Sequence, residues 1–275
     1  MDNTRILTIQ DISCTGQCSL TVALPIISAC GIETAIIPSA VLSNHTAFSQ
    51  FTFRDLTGEI PKIRKSWKAQ DIKFSALYTG YLGSAKQIAC VKDVMRDCIE
   101  EGGLKIVDPA MADGGKLYTG FDMDYVTEMK KLCAEADIIL PNITEACLMT
   151  DTEYKTRFDS DYIEGLLSRL TNISGGKIIL TGVSFSENKT GIAVYEGGKI
   201  EYYEHDKVGA GSHGTGDVYA SAFVGALLRG KSLFDAAKIA ADFTVLCIKN
   251  TVGHKEHWYG VRFEGCLPEL MNMIR

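Results

Sequence analysis

The stretch GAGSHGTGDVYASAFVGALLRG, from Gly209 to Gly230, changes character halfway along. Glycines occupy positions 209, 211, 214 and 216, and apolar residues at helical spacing fill the second half. Glycines leave backbone N–H groups free of side-chain cover, and a row of such donors at a helix N-terminus binds anions. The stretch therefore predicts a glycine loop that forms an anion site at the start of a helix over Thr215–Arg229.

A single acid, Asp217, falls in the first turn of this predicted helix. One interpretation is that its charge only complements the helix dipole. The other is that it takes a proton from an attacking hydroxyl while the glycine loop holds a phosphate that is being transferred. A Walker A loop is excluded because no GKS or GKT follows the glycines.

The rest of the chain alternates short apolar runs with amphipathic stretches. Strands are predicted at Arg5–Gln10, Thr34–Ser39, Phe74–Gly80, Leu104–Pro109, Asp137–Asn142 and Gly176–Leu180. Further helices are predicted at Ser19–Cys30, Ser84–Glu101 and Leu233–Lys249, and a hairpin around Gly197–Gly198. Strands that alternate with helices indicate an α/β fold of three layers, a mainly parallel sheet with helices on both faces. We expect one domain over residues 1–275.

Composition narrows the classes of partner. The chain has 275 residues and a formal net charge of −6, which argues against a nucleic-acid partner. It has no apolar run of 18 residues and no signal-peptide pattern at its start, so we expect no membrane span and a cytoplasmic location. The nine dispersed cysteines form no CxxC pair, which is typical of reduced thiols that fill a core.

Polar residues follow the predicted parallel strands, where ligands of open α/β sheets bind. They are Gln10-Asp11, Thr79-Gly80-Tyr81, Asp108-Pro109, Asn142 and Thr181-Gly182. This set of acids, amides and hydroxyls favours a site that holds a metal ion and a phosphate.

Several motifs resemble one known family. GTGD at the start of a late helix resembles the ribokinase superfamily, and five further motifs are similar to its pyridoxal kinase branch. They are ILTIQD, SNHT (Ser43–Thr46), TGYLG (Thr79–Gly83), VDPAMAD (Val107–Asp113) and PNITE (Pro141–Glu145). The resemblance implies a ribokinase-like fold and phosphorylation of the 5′-hydroxymethyl group of pyridoxal, pyridoxine or pyridoxamine. It also implies ATP and Mg²⁺ as cofactors, K⁺ as a further cation in many members, and a cytosolic homodimer.

The resemblance further implies roles for individual residues. Asp217 matches the catalytic base, and Gly214, Thr215 and Gly216 match the anion hole. Asn142 and Glu145 match residues that reach the magnesium-bound phosphates, and Asp108 and Asp113 match acids near the phosphates and cations. Thr181, Val208 and Gly209 match positions beside the nucleotide. Asp11, Thr46 and Tyr81 fall at positions that contact the vitamin, with His45 next to them.

Other interpretations of these residues stay open. Asn142 and Glu145 fit an N-cap and N3 pair, Asp108 precedes a proline as turn formers do, and Asp113 lies in a glycine-rich loop. Tyr81 fits a core aromatic, and His45 fits a loop histidine bonded to backbone. His254 and His257 are three residues apart with no third ligand, which argues against zinc.

Two departures from the family pattern bear on the substrate. The family usually has serine at the position of Asp11, where it contacts the pyridine nitrogen. A carboxylate there favours a protonated ring nitrogen or an amine. His213 before GTGD is similar to the hydroxymethylpyrimidine kinase branch, which keeps that activity as the alternative. A vitamin-binding protein without catalysis is the third hypothesis, and the intact GTGD argues against it.

Overall fold

The structure is a computed structural model that describes residues 4–209 and 213–275. Its centre is a nine-stranded sheet with the strand order β11-β10-β9-β8-β5-β4-β1-β2-β3. These strands are β1 Arg5–Ser13, β2 Glu33–Leu42, β3 Phe53–Asp55, β4 Phe74–Thr79, β5 Ile99–Val107, β8 Ile138–Ile139, β9 Lys177–Val183, β10 Lys189–Glu196 and β11 Lys199–Asp206. A separate two-stranded hairpin pairs β6 Ala112–Asp113 with β7 Lys116–Leu117.

The six central strands β9, β8, β5, β4, β1 and β2 run parallel, and the strands at both edges run antiparallel to their neighbours. All parallel strands therefore end at the same edge of the sheet. Strands from the beginning and from the later part of the chain lie side by side in this sheet, which forms the middle layer of the fold.

Helices cover both faces of the sheet. They are α1 Leu20–Ala29, α2 Ile60–Ala69, α3 Ala85–Cys98, α4 Met123–Cys133, α5 Ile143–Met149, α6 Ser160–Leu170, α7 Thr215–Leu228, α8 Leu233–Thr251 and α9 Leu267–Met273, with short 3₁₀ turns at Lys255–His257 and Glu264–Cys266. One apolar cluster joins the sheet to α2–α6, and a second joins its other face to α1 and α7–α9. The three-layer α/β prediction is confirmed.

Most predicted elements appear within a few residues of their predicted bounds, and the hairpin at Gly197–Gly198 joins β10 to β11. The helix predicted over Ser84–Glu101 is too long, because α3 ends at Cys98 and the chain enters β5 at Ile99. Ile99 pairs with Phe74 of β4, and the backbone then bulges through Gly102, which has φ of 73°. Pairing across the sheet thus outweighs the helical pattern at this end.

All nine cysteines are free thiols, and eight of them are at least partly buried. This matches the expected role of cysteine as core filler. Among the described residues, no helix has both the length and the apolar character needed to cross a membrane.

Candidate active site

The predicted site residues gather at the edge where the parallel strands end. Asp11 lies near the end of β1, Tyr81 two residues beyond β4 and Asp108 directly after β5. Asn142 follows β8 and Thr181 lies within β9, and these two residues form a parallel bridge. The parallel order of the strands explains the gathering, because residues far apart in sequence leave the sheet side by side.

The N-terminus of α7 closes this edge. Gly214 is the N-cap residue of α7, with φ of 75°, and a Cβ there would lie 1.8 Å from the Gln17 carbonyl oxygen. Only glycine fits such an approach with this backbone conformation. Gly216 is exposed and has open space around its Cα. Gly214 and Gly216 are the glycines of the predicted anion loop that open α7, whereas Gly211 lies outside the described residues.

Asp217 stands one residue beyond these glycines and is partly buried. Burial raises its pKa to about 6, the nearby Ser19 backbone N–H opposes this shift, and the charge of Asp11 adds to it. A helix N-terminus favours an ionised carboxyl with a low pKa, whereas burial acts on the pKa of Asp217 in the opposite direction. A carboxyl with a pKa near neutrality is better suited to accept a proton.

Asp11 is the second acid of the pocket and is only 5% exposed. Its Oδ1 accepts a 2.5 Å hydrogen bond from the Ser19 hydroxyl, and its Oδ2 accepts a 3.3 Å bond from the Ser13 hydroxyl. Burial raises the pKa of Asp11, and the two serine bonds lower it. Direct contact between Asp11 and a substrate stays a prediction, and the geometry shows a carboxylate that is already held on both oxygens.

Ser19 was not identified from the sequence. It is the residue before α1, is 5% exposed, and has φ of 50° and ψ of −132°, a conformation that favours glycine. Strained residues of this kind occur preferentially at functional sites. The only sequence signal is the run ISCTGQCS from Ile12 to Ser19, which starts in the last two residues of β1 and is rich in small polar residues and cysteines.

Asn142 and Glu145 form the capping box that their spacing predicts. Glu145 is 2% exposed, and its carboxylate accepts hydrogen bonds from the backbone N–H groups of Asn142, Met111 and Ala112 at 2.8, 3.0 and 3.4 Å. The Asn142 side chain donates to the Ala112 carbonyl at 2.8 Å. The box therefore also fixes the β6–β7 hairpin against α5. A direct contact of either side chain with magnesium-bound phosphate stays a prediction.

Asp108 is partly buried at the end of β5, and no hydrogen bond reaches its carboxylate from the described residues. Burial raises its pKa well above the usual range, and the charges of Glu145 and Asp217 raise it further. A bound cation would relieve this repulsion. Mg²⁺ prefers oxygen ligands and is commonly held by one or two carboxylates together with substrate phosphates, so Asp108 fits that ion. No group of three or more metal-ligating side chains occurs within residues 4–209 and 213–275.

A cavity of about 680 Å³ extends from Asn142 and Thr181 towards the β9–β10 side of the sheet. Its lining includes two acids, Asp113 and Glu187, and four basic side chains. The basic residues are Lys155, Arg157, Lys189 and Lys207. An excess of positive charge suits a polyphosphate. The sequence did not reveal this cluster, because its members come from separate loops and strands.

The loops above the pocket bring two histidines together. The rings of His45 and His213 have centroids 5.2 Å apart. The His45 Nδ1 accepts a 3.1 Å hydrogen bond from the Ala47 N–H, and burial followed by the charge of His213 lowers the pKa of His45. His45 is thus bonded to backbone, which is one of the interpretations left open by the sequence.

Four further predicted residues lie around the same edge. Thr46 is exposed next to His45, and Tyr81 is half-buried and stacks on Phe121 at 5.5 Å. Val208 is partly buried, and Gly209 is exposed with φ of 67°. Their contacts with substrate or nucleotide stay predictions.

Comparison with known proteins assigns the chain to a family. The model of the phosphomethylpyrimidine kinase family matches residues 28–261. A Bacteroides thetaiotaomicron protein with proposed phosphomethylpyrimidine kinase activity, crystallised with pyridoxal, is 37% identical with a TM-score of 0.92, over 97% of this chain and 95% of its own. Pyridoxal kinase from Lactobacillus plantarum is 28% identical with a TM-score of 0.91, over 98% and 97%.

Another relative is named for the alternative activity, phosphorylation of hydroxymethylpyrimidine. The hydroxymethylpyrimidine/phosphomethylpyrimidine kinase of Bacillus subtilis is 27% identical over 67% of both chains. The fold, the GTGD helix and these similarities agree with the resemblance drawn from the motifs. The chain belongs to the phosphomethylpyrimidine kinase family and is a kinase of the ribokinase superfamily, to which pyridoxal kinases also belong.

Proposed function

We propose that this kinase transfers the γ-phosphate of ATP to the 5′-hydroxymethyl group of a vitamin B6 vitamer. The observation that carries the proposal is Asp217, a carboxyl whose pKa is raised to about 6 directly behind the glycines that open α7. A base of this kind beside an anion site is suited to phosphoryl transfer to an alcohol.

The nucleotide would occupy the 680 Å³ cavity, with its phosphates near the four basic side chains. The backbone N–H groups of Gly214, Thr215 and Gly216 would hold the transferred group. Mg²⁺, held by Asp108 and the phosphates, would supply stabilisation of negative charge.

Asp217 performs the proton step. The hydroxymethyl oxygen attacks the γ-phosphorus, the bond from phosphorus to the bridging oxygen breaks, ADP leaves, and the hydroxyl proton passes to Asp217. In a loose transition state the proton leaves late, so the main tasks of the protein are to position the groups and to stabilise charge.

The acceptor would lie on the other side of Asp217, between Tyr81, Thr46 and His45, with Asp11 beneath. This end of the pocket combines an aromatic ring, a hydroxyl and an imidazole nitrogen, which suits a hydroxylated pyridine. The bound pyridoxal in the 37% identical Bacteroides thetaiotaomicron protein supports the assignment.

Hydroxymethylpyrimidine is the alternative acceptor. Its support is the family model, the Bacillus subtilis relative and His213, whose ring faces His45 above the pocket. Both acceptors carry a primary hydroxymethyl group on an aromatic nitrogen ring, so the same base serves either.

The deciding experiment measures kcat/KM with Mg·ATP for pyridoxal, pyridoxine, pyridoxamine and hydroxymethylpyrimidine, with ribose as a control alcohol. We expect a B6 vitamer to be preferred. A higher kcat/KM for the pyrimidine would transfer the assignment to the alternative, and binding of a vitamer without ADP formation would support the non-catalytic hypothesis.

A further inference from the structure

We propose that Phe48 is a positioning residue for the acceptor, because its ring anchors the turn at residues 45–48 to a pair of aromatic residues in the loop that follows α8. The turn carries His45 and Thr46, which the proposed function places beside the acceptor, and the inference rests on that function. Phe48 acts through the position of this turn and needs no contact of its own with the acceptor.

The first residue of the turn is fixed by backbone contacts with the loop after β1. The His45 N–H donates to the Thr15 carbonyl at 2.8 Å, and the Phe48 N–H donates to the His45 carbonyl at 3.0 Å, which closes the turn. Gly16 has φ of 144°, and a Cβ there would lie 2.8 Å from the His45 Cβ. The loop after β1 therefore packs tightly against the start of the turn.

The last residue of the turn is held by its ring. The centroid of the Phe48 ring lies 4.6 Å from that of Trp258 and 5.7 Å from that of Tyr259. Aromatic pairs prefer centroid separations of about 4.5–7 Å, and both contacts fall in this range. These contacts hold the end of the turn that lies farther from Thr15.

The loop that follows α8 is itself well anchored and can support the turn. Val261 is fully buried and Phe263 is 1% exposed, and both belong to the apolar cluster that includes α7 and α8. The Arg262 N–H donates to the Thr251 hydroxyl, in the last residue of α8, at 2.8 Å. The two aromatic partners of Phe48 therefore stand next to a segment that is fixed in the core.

Loss of the Phe48 ring would weaken acceptor binding more than any other step. Thr46 is exposed and His45 is partly buried, and both lie between the two anchors of the turn. With one anchor removed, the acceptor would have to order the turn when it binds, and such ordering lowers affinity. Asp217 and the glycines that open α7 would keep their contacts, so the inference concerns the KM for the acceptor and not kcat.

The experiment compares Phe48→Ala with Phe48→Tyr. For Phe48→Ala we expect the KM for the acceptor to rise about 3- to 10-fold, as the loss of an aromatic contact predicts, with little change in kcat or in the KM for Mg·ATP. Phe48→Tyr keeps the ring and should keep the acceptor KM. Trp258→Ala should act in the same direction, and its effect should be non-additive with that of Phe48→Ala, because both remove one contact.

Trp67 offers a matched control. Its ring lies 5.1 Å from that of Phe74, the first residue of β4, at the edge of the sheet opposite the site. Trp67→Ala removes a comparable aromatic pair and should lower Tm without a change in the acceptor KM. A merely structural role of Phe48 would give the same result as this control, a lower Tm with no selective change in KM.

Amide hydrogen exchange gives a readout that does not depend on catalysis. The amides of residues 45–48 should exchange faster in Phe48→Ala and at the unaltered rate in Phe48→Tyr. Unchanged exchange in Phe48→Ala, or an unchanged acceptor KM in that variant, would overturn the inference. If the unaltered protein phosphorylates no acceptor, the proposed function fails, and the calorimetric Kd for pyridoxal together with the exchange rates still decides the role of Phe48.

Discussion

The Cα of Gly214 faces the carbonyl oxygen of Gln17 so closely that a Cβ would lie 1.8 Å from that oxygen. This contact joins the loop after β1 to the start of α7, and so joins the two segments that carry Asp11 and Asp217. The pocket depends on this approach of one backbone to another.

Gly214→Ala should therefore damage both the fold near the site and catalysis. The methyl group clashes with backbone, and alanine is disfavoured at φ of 75°. We expect a loss of about 1–3 kcal/mol in the free energy of unfolding and a marked fall in kcat. Gly230→Ala is the matched control, because its φ is 87° but a Cβ there meets no atom within 4 Å. Equal kcat values for the two variants would contradict the account.

Activity should depend on pH through Asp217. Its pKa is raised to about 6, and the base must be ionised to accept a proton. We expect kcat/KM for the acceptor, which reports the protein before the acceptor binds, to rise about tenfold per pH unit below about pH 6 and to level off above it. The measurement is kcat/KM for the acceptor between pH 4.5 and 8, in buffers of roughly constant ionic strength. A flat profile through this range would argue against Asp217 as the titrating base.

Asp11 offers a check on the same titration. Its charge raises the pKa of Asp217, so Asp11→Asn should lower that pKa and move the acidic limb of the kcat/KM profile to lower pH. The amide oxygen of asparagine can still accept the hydrogen bond from the Ser19 hydroxyl. A limb that moves to higher pH would show that the interaction has the opposite sign.

Glu145 should be needed for Mg·ATP use, chiefly because it fixes the loop beside the phosphates. Glu145→Ala leaves the N–H groups of Met111, Ala112 and Asn142 without their acceptor, at a cost of about 1–3 kcal/mol or more. We expect a lower Tm and a higher KM for Mg·ATP. Glu128→Ala, which removes an exposed partner of Lys131, is the control and should change neither. Unchanged dependence on Mg·ATP in Glu145→Ala would remove this role.

Lys207 tests the place of the nucleotide. Its side chain lines the cavity, so Lys207→Ala should raise the KM for ATP several-fold, less so at high salt, and leave the KM for the acceptor alone. Lys177 is the first residue of β9, at the end of this strand that does not line the cavity, and it pairs with Glu196 at 2.7 Å. Lys177→Ala is therefore the control. Equal KM values for ATP in both variants would place the nucleotide elsewhere.

Much of the architecture could be predicted from sequence because it follows local patterns. The alternation of apolar runs with amphipathic stretches predicted the three layers, and the glycines before Asp217 predicted the start of α7. The spacing of Asn142 and Glu145 predicted their capping box. Each of these signals lies within a few neighbouring residues.

The remaining features depend on contacts between distant segments. Nothing near Ser19 in the sequence indicates its positive φ or the bond from its hydroxyl to Asp11 on β1. The raised pKa of Asp217 reflects burial by the assembled pocket and could not follow from its place in a helix. The Glu145 bonds to Met111 and Ala112 span more than 30 residues.

The most direct test of the central claim is Asp217→Asn, with turnover, nucleotide binding and Tm measured on the same preparation. We expect kcat to fall about 10²–10⁴-fold, with ATP affinity nearly unchanged. Because the folded protein holds Asp217 at a raised pKa, its ionised form costs stability above the unfolded pKa, so the asparagine variant should melt at the same or a higher temperature at pH 7. A variant that melts lower, by about 0.3–1 kcal/mol of stability, and turns over normally would show that Asp217 only complements the helix dipole and would contradict the account.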